Sequence, residues 1–540
     1  MRTVTPPTLL LLATATLLVG APTPAQQFDV MEATIQGTHA ALRTGRLTCR
    51  ALVQAYLDRI AAYDKIGPAL NTVQHLNPRA LAEADSLDTV QRAGRPLGSL
   101  HCVPVLLKDQ IETKDMPTTY GSALFKDFTP QRDATAVERL EAAGAIIIAK
   151  TTMGEFAARY VGSGFGIVRN AYDPTRNPSG SSGGTGSGVA ANFGLVGIGE
   201  DTGGSIRGPA AVNALVGLRP TLPLVSRHGM LPANPTQDTM GPMTRTVWDA
   251  ALVLDAIAGY DPKDPVTAYA VGQVPATYTA TLTPTALRGA RIGVLRVRRE
   301  PPSSQSPTSG DTLAARRDSI ARVNAAEFAK VTPTFDRALA DLRTAGAVLV
   351  DSLAVPVIPG RRVGNSFETE EATNAYFAEH PNAPVRTLAE ILLAGTVNPW
   401  RARSLVGYLG KTTSDPDYLV VLQQRERMRV AVLTLMADHQ LDALVYATYD
   451  APPAPIAADV LTNPRPTDGY GRGDNRGLSP TLAWPALTVP AGFSTDSLPV
   501  GLEFLGRPWS EAQLLAYGYA YEQATKLRRP PRTTPPLARR

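Results

Sequence analysis

The sequence has few of the residues and motifs that mark metal-dependent, disulfide-rich or nucleotide-binding proteins. Its 540 residues include only two cysteines, Cys49 and Cys102, and six histidines. Two cysteines exclude a disulfide scaffold, and a chain of this length buries a core large enough to fold without one. The sequence has no HExxH or CxxC motif and no GxxxxGK[ST] loop. We therefore expect no metal, no nucleotide and no other cofactor.

Long runs of like charge are also missing. The formal net charge is +5, and the nearest basic run, RVRRE at 296–300, is short and interrupted. This pattern is typical of a solvated surface, so no nucleic-acid partner is expected. After the N-terminal segment, no stretch approaches the roughly 18 uninterrupted apolar residues of a membrane span.

The N-terminal segment MRTVTPPTLLLLATATLLVGAPTPAQQ has one early cation, a short apolar run and then small residues. This pattern predicts a signal peptide over 1–25, cleaved after Ala25, and a mature domain over 26–540; an uncleaved anchor is the alternative. The protein is therefore expected to be exported, and so periplasmic or secreted. There the two cysteines have the opportunity to pair, but two buried free thiols are the favoured interpretation.

Helical and apolar segments alternate along the chain. DATAVERLEAAG (133–144), with Asp133 as N-cap and Gly144 as stop, precedes the β-branched run AIIIAK (145–150), and the same order recurs at 335–353. Such alternation predicts an α/β layered fold around a largely buried sheet. A Pro- and Ser-rich stretch at about 298–317 is expected to be an exposed insertion.

A block dense in glycine and serine, residues 177–208, admits two kinds of serine catalysis. GSSGG (180–184) formally matches G-x-S-x-G, which would make Ser182 the nucleophile of an α/β-hydrolase esterase. That motif requires a preceding strand, whereas DPTRNPS is turn chemistry, and the candidate bases His228, His380 and His439 lie in no motif. This alternative is therefore weak.

The other kind of serine catalysis uses lysine as the base. Lys108 ends the apolar run VPVLLK (103–108), where a buried cation costs free energy unless it is neutral or paired. An unperturbed lysine titrates near pH 10.4, so a base at neutral pH needs its pKa lowered by about three units. Burial at the end of an apolar strand is the expected route to that shift.

Three segments together resemble the amidase signature family. They are VPVLLKDQIETKDMPTTYGSA (103–123), the glycine-serine block continued to 221, and WPALTVPAGF with LPVGLEFLGRP (484–508). The resemblance runs from about residue 40 to 531. It implies one large α/β domain, with a central mixed sheet flanked by helices on both faces, and an amidohydrolase that needs no metal or cofactor.

By position, the resemblance implies that Ser205 is the nucleophile, Ser181 the bridging serine after a cis peptide bond, and Lys108 the base. The expected oxyanion donors are the backbone N–H groups of Thr202, Gly203, Gly204 and Ser205. Three further residues are expected to support them: Ser182 by a hydrogen bond to Lys108, and Arg207 by bracing the loop with Asp201.

The sequence indicates the substrate less clearly than it indicates the type of reaction. FETEEATNAYFAEHPNAPVRTLAEIL (367–392) resembles bacterial family members related to peptide amidases. Export argues against tRNA-dependent amidation, so the predicted substrates are carboxylic amides or peptide C-terminal amides, hydrolysed to an acid and ammonia. An esterase and a catalytically inactive amidase-like binding protein stay as alternatives. The sequence leaves the oligomeric state open.

Overall fold

The computed structural model describes residues 1, 28–296, 311–361, 363–464 and 475–538. The predicted signal peptide lies outside these ranges except for Met1, as does most of the predicted insertion at 298–317. Residues 311–317 of the predicted insertion are instead part of a helix that spans Asp311–Thr344.

The strands are β1 Val73–Leu76, β2 Pro104–Lys108, β3 Ile146–Thr151, β4 Val161–Gly162, β5 Gly166–Ile167, β6 Val196–Glu200, β7 Val216–Arg219, β8 Met240–Thr244, β9 Arg291–Leu295, β10 Val348–Leu353, β11 Ala443–Ala447, β12 Ala486–Phe493 and β13 Pro499–Leu505.

The α-helices are α1 Ile35–Arg43, α2 Cys49–Tyr63, α3 Ala80–Arg92, α4 Thr135–Ala142, α5 Gly183–Ala190, α6 Arg207–Ala211, α7 Val247–Ile257, α8 Asp311–Thr344, α9 Thr369–Ala378, α10 Leu388–Leu393, α11 Pro399–Val406, α12 Pro416–Asp438, α13 Leu478–Leu482 and α14 Glu511–Thr525.

Eleven of these strands form one mixed sheet in the order β1-β3-β2-β6-β8-β7-β12-β13-β11-β9-β10, while β4 and β5 form a separate pair. Strand β2 is parallel to both β3 and β6, and β9 is parallel to both β10 and β11. The other pairings within the large sheet are antiparallel. The parallel strands β2, β3 and β6 are buried at every residue, as expected for strands covered on both faces.

Helices cover both faces of the sheet. A Cβ on Gly518 of α14 would meet Leu487 and Val489 of β12, whereas a Cβ on Gly501 of β13 would meet Thr488 and Ala211 of α6. Because side chains alternate along a strand, α14 and α6 lie on opposite faces. The predicted fold, one α/β domain with a mixed sheet between helical layers, is confirmed.

The local patterns formed the elements that they predicted, with one change at a helix start. The run AIIIAK lies largely in β3, and the recurrence at 335–353 lies in the end of α8 and in β10. Gly144 follows α4 at a positive φ of 91°, as a helix stop requires. Asp133, however, is not the N-cap of α4: Ala134 is, and the Asp133 carboxylate instead binds Lys114.

Cys49 and Cys102 form a disulfide, so the expectation of two free thiols is wrong. The bond joins the first residue of α2 to the loop before β2, across 53 positions of sequence and a Cα–Cα distance of 5.3 Å. Both residues are fully buried in the main core. The sequence could not indicate this proximity, because it depends on how α2 packs beside the sheet.

The described part of the chain contains no helix whose length and apolar character would let it cross a membrane.

Replacing both cysteines by serine should lower the free energy of unfolding by about 2–5 kcal/mol, because the disulfide restricts the unfolded chain over a long loop. Urea unfolding of the wild type and of Cys49→Ser/Cys102→Ser measures the difference. A reducing agent should destabilise the wild type and leave the double variant unchanged. Equal unfolding midpoints for the oxidised wild type and the variant would contradict the disulfide's stabilising role.

Candidate active site

Two charged residues, Lys108 and Glu200, are the last residues of the neighbouring parallel strands β2 and β6. The strands are paired through Leu107 and Ile198, so both side chains emerge at the same edge of the sheet. The carboxyl ends of parallel strands are the usual place for a site in an α/β sheet, because the loops that follow them meet there. The glycine-serine block supplies the adjoining loops.

Glycines in the loop before α5 and at the start of α5 let this part of the chain approach the backbone of its neighbours. A Cβ on Gly180 would lie 1.6 Å from the carbonyl oxygen of Arg159, and a Cβ on Gly184 would lie 2.2 Å from that of Thr152. Only glycine fits at such distances. Between them, the Gly180–Ser181 peptide bond is cis, as the resemblance implied.

The loop brings Ser181 against Lys108. Lys108 Nζ lies 2.7 Å from Ser181 Oγ, 2.7 Å from Glu200 Oε2 and 3.3 Å from the Glu200 carbonyl oxygen. All three side chains are fully buried. Lys108 and Ser181, 73 positions apart in sequence, are therefore in direct contact.

Two opposing effects act on the Lys108 amine. Burial is the larger and lowers the pKa of Lys108, while the Glu200 carboxylate acts to raise it. The net result is a pKa below the ordinary lysine value. Burial and the charge of Glu200 also raise the pKa of the neighbouring carboxyl group of Asp238 to about 8.

Ser205 lies in the turn between β6 and α6 and is only partly buried, next to the exposed Gly203. The Ser182 N–H donates to the Ser205 carbonyl oxygen at 3.4 Å, which holds the turn against the Ser181–Ser182 loop. Within the described ranges, the Ser205 hydroxyl makes no hydrogen bond in this conformation. The hydroxyl is therefore accessible and free to rotate.

The predicted oxyanion donors are not equivalent. The Gly204 N–H donates to Asp201 Oδ1 at 2.6 Å, so it is not available to a ligand and that assignment is wrong for this conformation. The N–H groups of Thr202, Gly203 and Ser205 have no acceptor among the residues that the structure describes. These three N–H groups are therefore available to a ligand.

Asp201 braces this turn together with buried arginines, as predicted for Arg207. Arg207 Nε lies 3.1 Å from Asp201 Oδ2, and its Nη1 also contacts Glu503 of β13. Burial acts to raise the pKa of Asp201, but the charges of Arg207 and Arg219 outweigh it and hold the pKa well below its usual range. The polar contacts of Arg207 are therefore with groups of the protein itself.

Ser182 does not contact Lys108, which corrects the expected support role. Its hydroxyl donates to the Glu200 carbonyl oxygen at 3.1 Å. No histidine in the described ranges contacts it: His380 pairs with Glu112 at 2.8 Å, and His228 lies beside Thr135. The segment before Ser182 is also not a strand. The nucleophile-elbow alternative therefore lacks both its base and its geometry.

A second buried lysine, Lys150 of β3, lies apart from the serines. Strand register places it beside Leu107, so it points to the face opposite Lys108. There it contacts Thr118 Oγ1 at 2.6 Å and Asp109 at 3.7 Å. Burial lowers the pKa of Lys150 to about 8. A lowered pKa alone therefore does not distinguish the two lysines; contact with Ser181 does.

Glu200 is the site residue that the sequence analysis missed. It ends the buried run VGIGE in the same way that Lys108 ends VPVLLK. The same argument, a charge at the end of an apolar strand, would have singled it out and suggested that the two charges pair.

Replacing Asp201 by Asn should destabilise the protein by about 3–5 kcal/mol, because it leaves Arg207 and Arg219 with less compensation in a buried setting. Urea unfolding measures the loss. The matched control is Asp336→Asn, which breaks the surface pair of Asp336 with Arg296 and should cost at most about 1 kcal/mol. Equal losses in the two variants would contradict the bracing role.

The sequence is similar to known proteins over most of its length. A family model described as Amidase matches residues 51–515. A probable amidase from Arabidopsis thaliana is 32% identical over 534 residues, covering 94% of this chain and 92% of that protein. A glutamyl-tRNA(Gln) amidotransferase subunit from Thermosynechococcus vestitus is 33% identical over 506 residues, covering 91% of this chain and 98% of that protein.

Solved structures show the same likeness. The native peptide amidase from Stenotrophomonas maltophilia is 36% identical, with a TM-score of 0.77, and the match covers 93% of this chain and 99% of that one. An amidase family protein from Bacillus anthracis is 31% identical, with a TM-score of 0.78, and the match covers 93% of both chains. The chain therefore belongs to the amidase family, and it is an amidohydrolase that resembles the peptide amidases.

Proposed function

We propose that the protein hydrolyses amides through an acyl-enzyme on Ser205, with Ser181 as the bridging hydroxyl and Lys108 as the base. The observation that carries this proposal is the 2.7 Å contact between Lys108 Nζ and Ser181 Oγ, fully buried beside the turn that presents the partly exposed Ser205. A serine hydroxyl is a weak nucleophile until a base takes its proton, and we assign Ser181 the role of connecting the Ser205 hydroxyl to the Lys108 amine.

The protons balance along this chain. Ser205 Oγ bonds to the amide carbonyl carbon while its proton moves to Ser181 Oγ, and the Ser181 proton moves to Lys108 Nζ. When the C–N bond breaks, the leaving nitrogen takes a proton from Ser181, which is resupplied by Lys108. Water then adds to the acyl-enzyme by the same path, so that an acid leaves and Ser205 regains its proton.

Charge develops on the carbonyl oxygen when Ser205 attacks. The free N–H groups of Thr202, Gly203 and Ser205 are the donors that we assign to it, while Gly204 stays bound to Asp201. Donors fixed in advance stabilise this charge more than mobile water does, because they need no reorganisation. The Asp201–Arg207 bracing supplies that fixity.

The substrates that we propose are peptide C-terminal amides and other linear carboxylic amides. The likeness to peptide amidase structures supports this class. A cavity of about 420 Å³ is lined by Gln237, Gln424 and Arg425 among others, and Gln237 directly precedes Asp238 in the sequence. Its volume is within the range of small-molecule sites, and we assign it to the acyl or peptide part of the substrate.

We also propose that the protein is exported and works outside the cytoplasm. The N-terminal pattern of residues 1–25 supports this, and the Cys49–Cys102 disulfide supports it independently, because such bonds persist in oxidising compartments.

Mass spectrometry of the protein recovered from the periplasm or the medium should give a chain that begins after Ala25. A full-length chain retained in the cytoplasm would contradict export.

Ammonia release from an amide panel tests the relay. Ser205→Ala should lower kcat/KM by at least about 10⁴-fold, and Lys108→Ala by about 10²–10⁴-fold, because each removes a group that acts in the bond-making step. Ser181→Ala should also lose most activity, since it interrupts the path between them. His228→Asn and His439→Asn are the controls and should keep the wild-type rate.

The same panel separates the alternatives. Peptide amides should give higher kcat/KM than aliphatic amides or esters. Preference for esters would favour the esterase alternative, and binding of amides without turnover would favour an inactive binding protein. Full activity in Lys108→Ala, together with dependence on one histidine, would overturn the relay.

A further inference from the structure

Glu200 provides the Lys108 amine with an opposite charge and with two hydrogen-bond acceptors. It offers Nζ two acceptors, its carboxylate Oε2 at 2.7 Å and its own carbonyl oxygen at 3.3 Å, while Ser181 Oγ is the third neighbour at 2.7 Å. An ammonium donates three hydrogen bonds, and a neutral amine donates two and keeps one lone pair. If Glu200 takes both N–H groups of the neutral amine, the lone pair points at Ser181 Oγ.

The Glu200 carboxylate is itself held in place. Its other oxygen, Oε1, accepts a hydrogen bond of 2.6 Å from the Thr202 hydroxyl, in the turn that carries Ser205. Its backbone lies in β6, where its N–H and carbonyl oxygen both bind the Ser182 hydroxyl. The residue is fully buried, so its side chain has no solvent to turn towards.

We propose that Glu200 is a positioning residue for catalysis: it orients the Lys108 amine towards Ser181 and stabilises the ammonium that forms when Lys108 receives the proton. This inference rests on the proposed function, because it assigns Lys108 the role of base. In this scheme Glu200 forms no bond to the substrate, and it acts through the Lys108 amine that it contacts.

Other charged residues besides Glu200 lie near Lys108. Asp201 follows Glu200 in the chain, Asp238 precedes β8, and both favour the charged form of Lys108. Arg219 of β7 and Arg207 of α6 are paired with Asp201. Helix α5, on the same face of the sheet, contributes no titratable side chain. Among these groups, Glu200 alone contacts Lys108 Nζ directly.

Direct titration of Lys108 tests the inference without any need for activity. The protein is labelled with lysine carrying ¹³C at Cε, and the Lys108 signal is identified by its absence in Lys108→Ala. In Glu200→Gln the titration midpoint of Lys108 should fall by at least about one pH unit, since the ammonium loses its counter-ion. Lys150 is an internal control, buried but without contact to Glu200, and its midpoint should not move.

The pH dependence of kcat and KM gives the second readout. In Glu200→Gln the acidic limb of the kcat profile should move to lower pH by the same amount, the plateau kcat should fall about tenfold or more, and KM should change little. Glu511→Gln is the matched control: Glu511 is equally buried, but it binds the Thr221 N–H and should leave the profile in place.

Several results would overturn the inference. An unchanged or raised Lys108 midpoint in Glu200→Gln would show that the carboxylate does not stabilise the ammonium. An acidic limb that moves to higher pH in Glu200→Gln would likewise contradict stabilisation of the ammonium by Glu200. Failure of the proposed function is distinct, since Lys108→Ala would then keep its rate while the titration still answers this question.

If circular dichroism and thermal melting show that Glu200→Gln does not fold, Glu200→Asp is the variant to use in its place. Asp retains the charge but shortens the side chain by one methylene. It should therefore give a smaller fall in the Lys108 midpoint than one pH unit, together with a reduced kcat. A Glu200→Asp protein identical to the wild type in both readouts would contradict the positioning role.

Discussion

The site depends on one buried contact, in which the Lys108 amine lies between a hydroxyl and a carboxylate. Burial favours the neutral amine and Glu200 favours the ammonium, so the two effects on the protonation of Lys108 oppose each other. A group that must take up a proton and return it within one reaction cycle needs such a balance. A lysine buried without a partner would hold no proton, and one paired at the surface would not release it at neutral pH.

The glycine-serine block lets the backbone pack closely beside the Lys108–Ser181 contact, where larger side chains would not fit. Gly180 and Gly184 let the loop pack against the carbonyl groups of Arg159 and Thr152 at distances that exclude any Cβ. The loop then delivers Ser181 to the end of β2, while Ser182 binds the backbone of Glu200 at the end of β6. The density of glycine that looks unfavourable for secondary structure thus allows two strands and two loops to converge.

A network of buried charges fixes the turn that carries Ser205. Asp201 accepts the N–H groups of Gly204 and Ile206 and pairs with Arg207, which also contacts Glu503 on a distant strand. The network uses the Gly204 donor that the sequence analysis had assigned to the oxyanion. Asp201 thereby holds the turn through the N–H groups of Gly204 and Ile206. The N–H groups of Thr202, Gly203 and Ser205 are not used in this network.

The sequence by itself determined the local elements, the layered α/β class and, through family-like motifs, the positions of Lys108, Ser181 and Ser205, because these depend on short spacings. The partners across the sheet were decided by the tertiary structure. Glu200 meets Lys108 only because β2 and β6 are parallel neighbours, and Cys49 meets Cys102 only because α2 begins beside the loop that precedes β2. Periodicity states which side chains are buried, but contacts between distant segments follow from strand order and register, which no local pattern encodes.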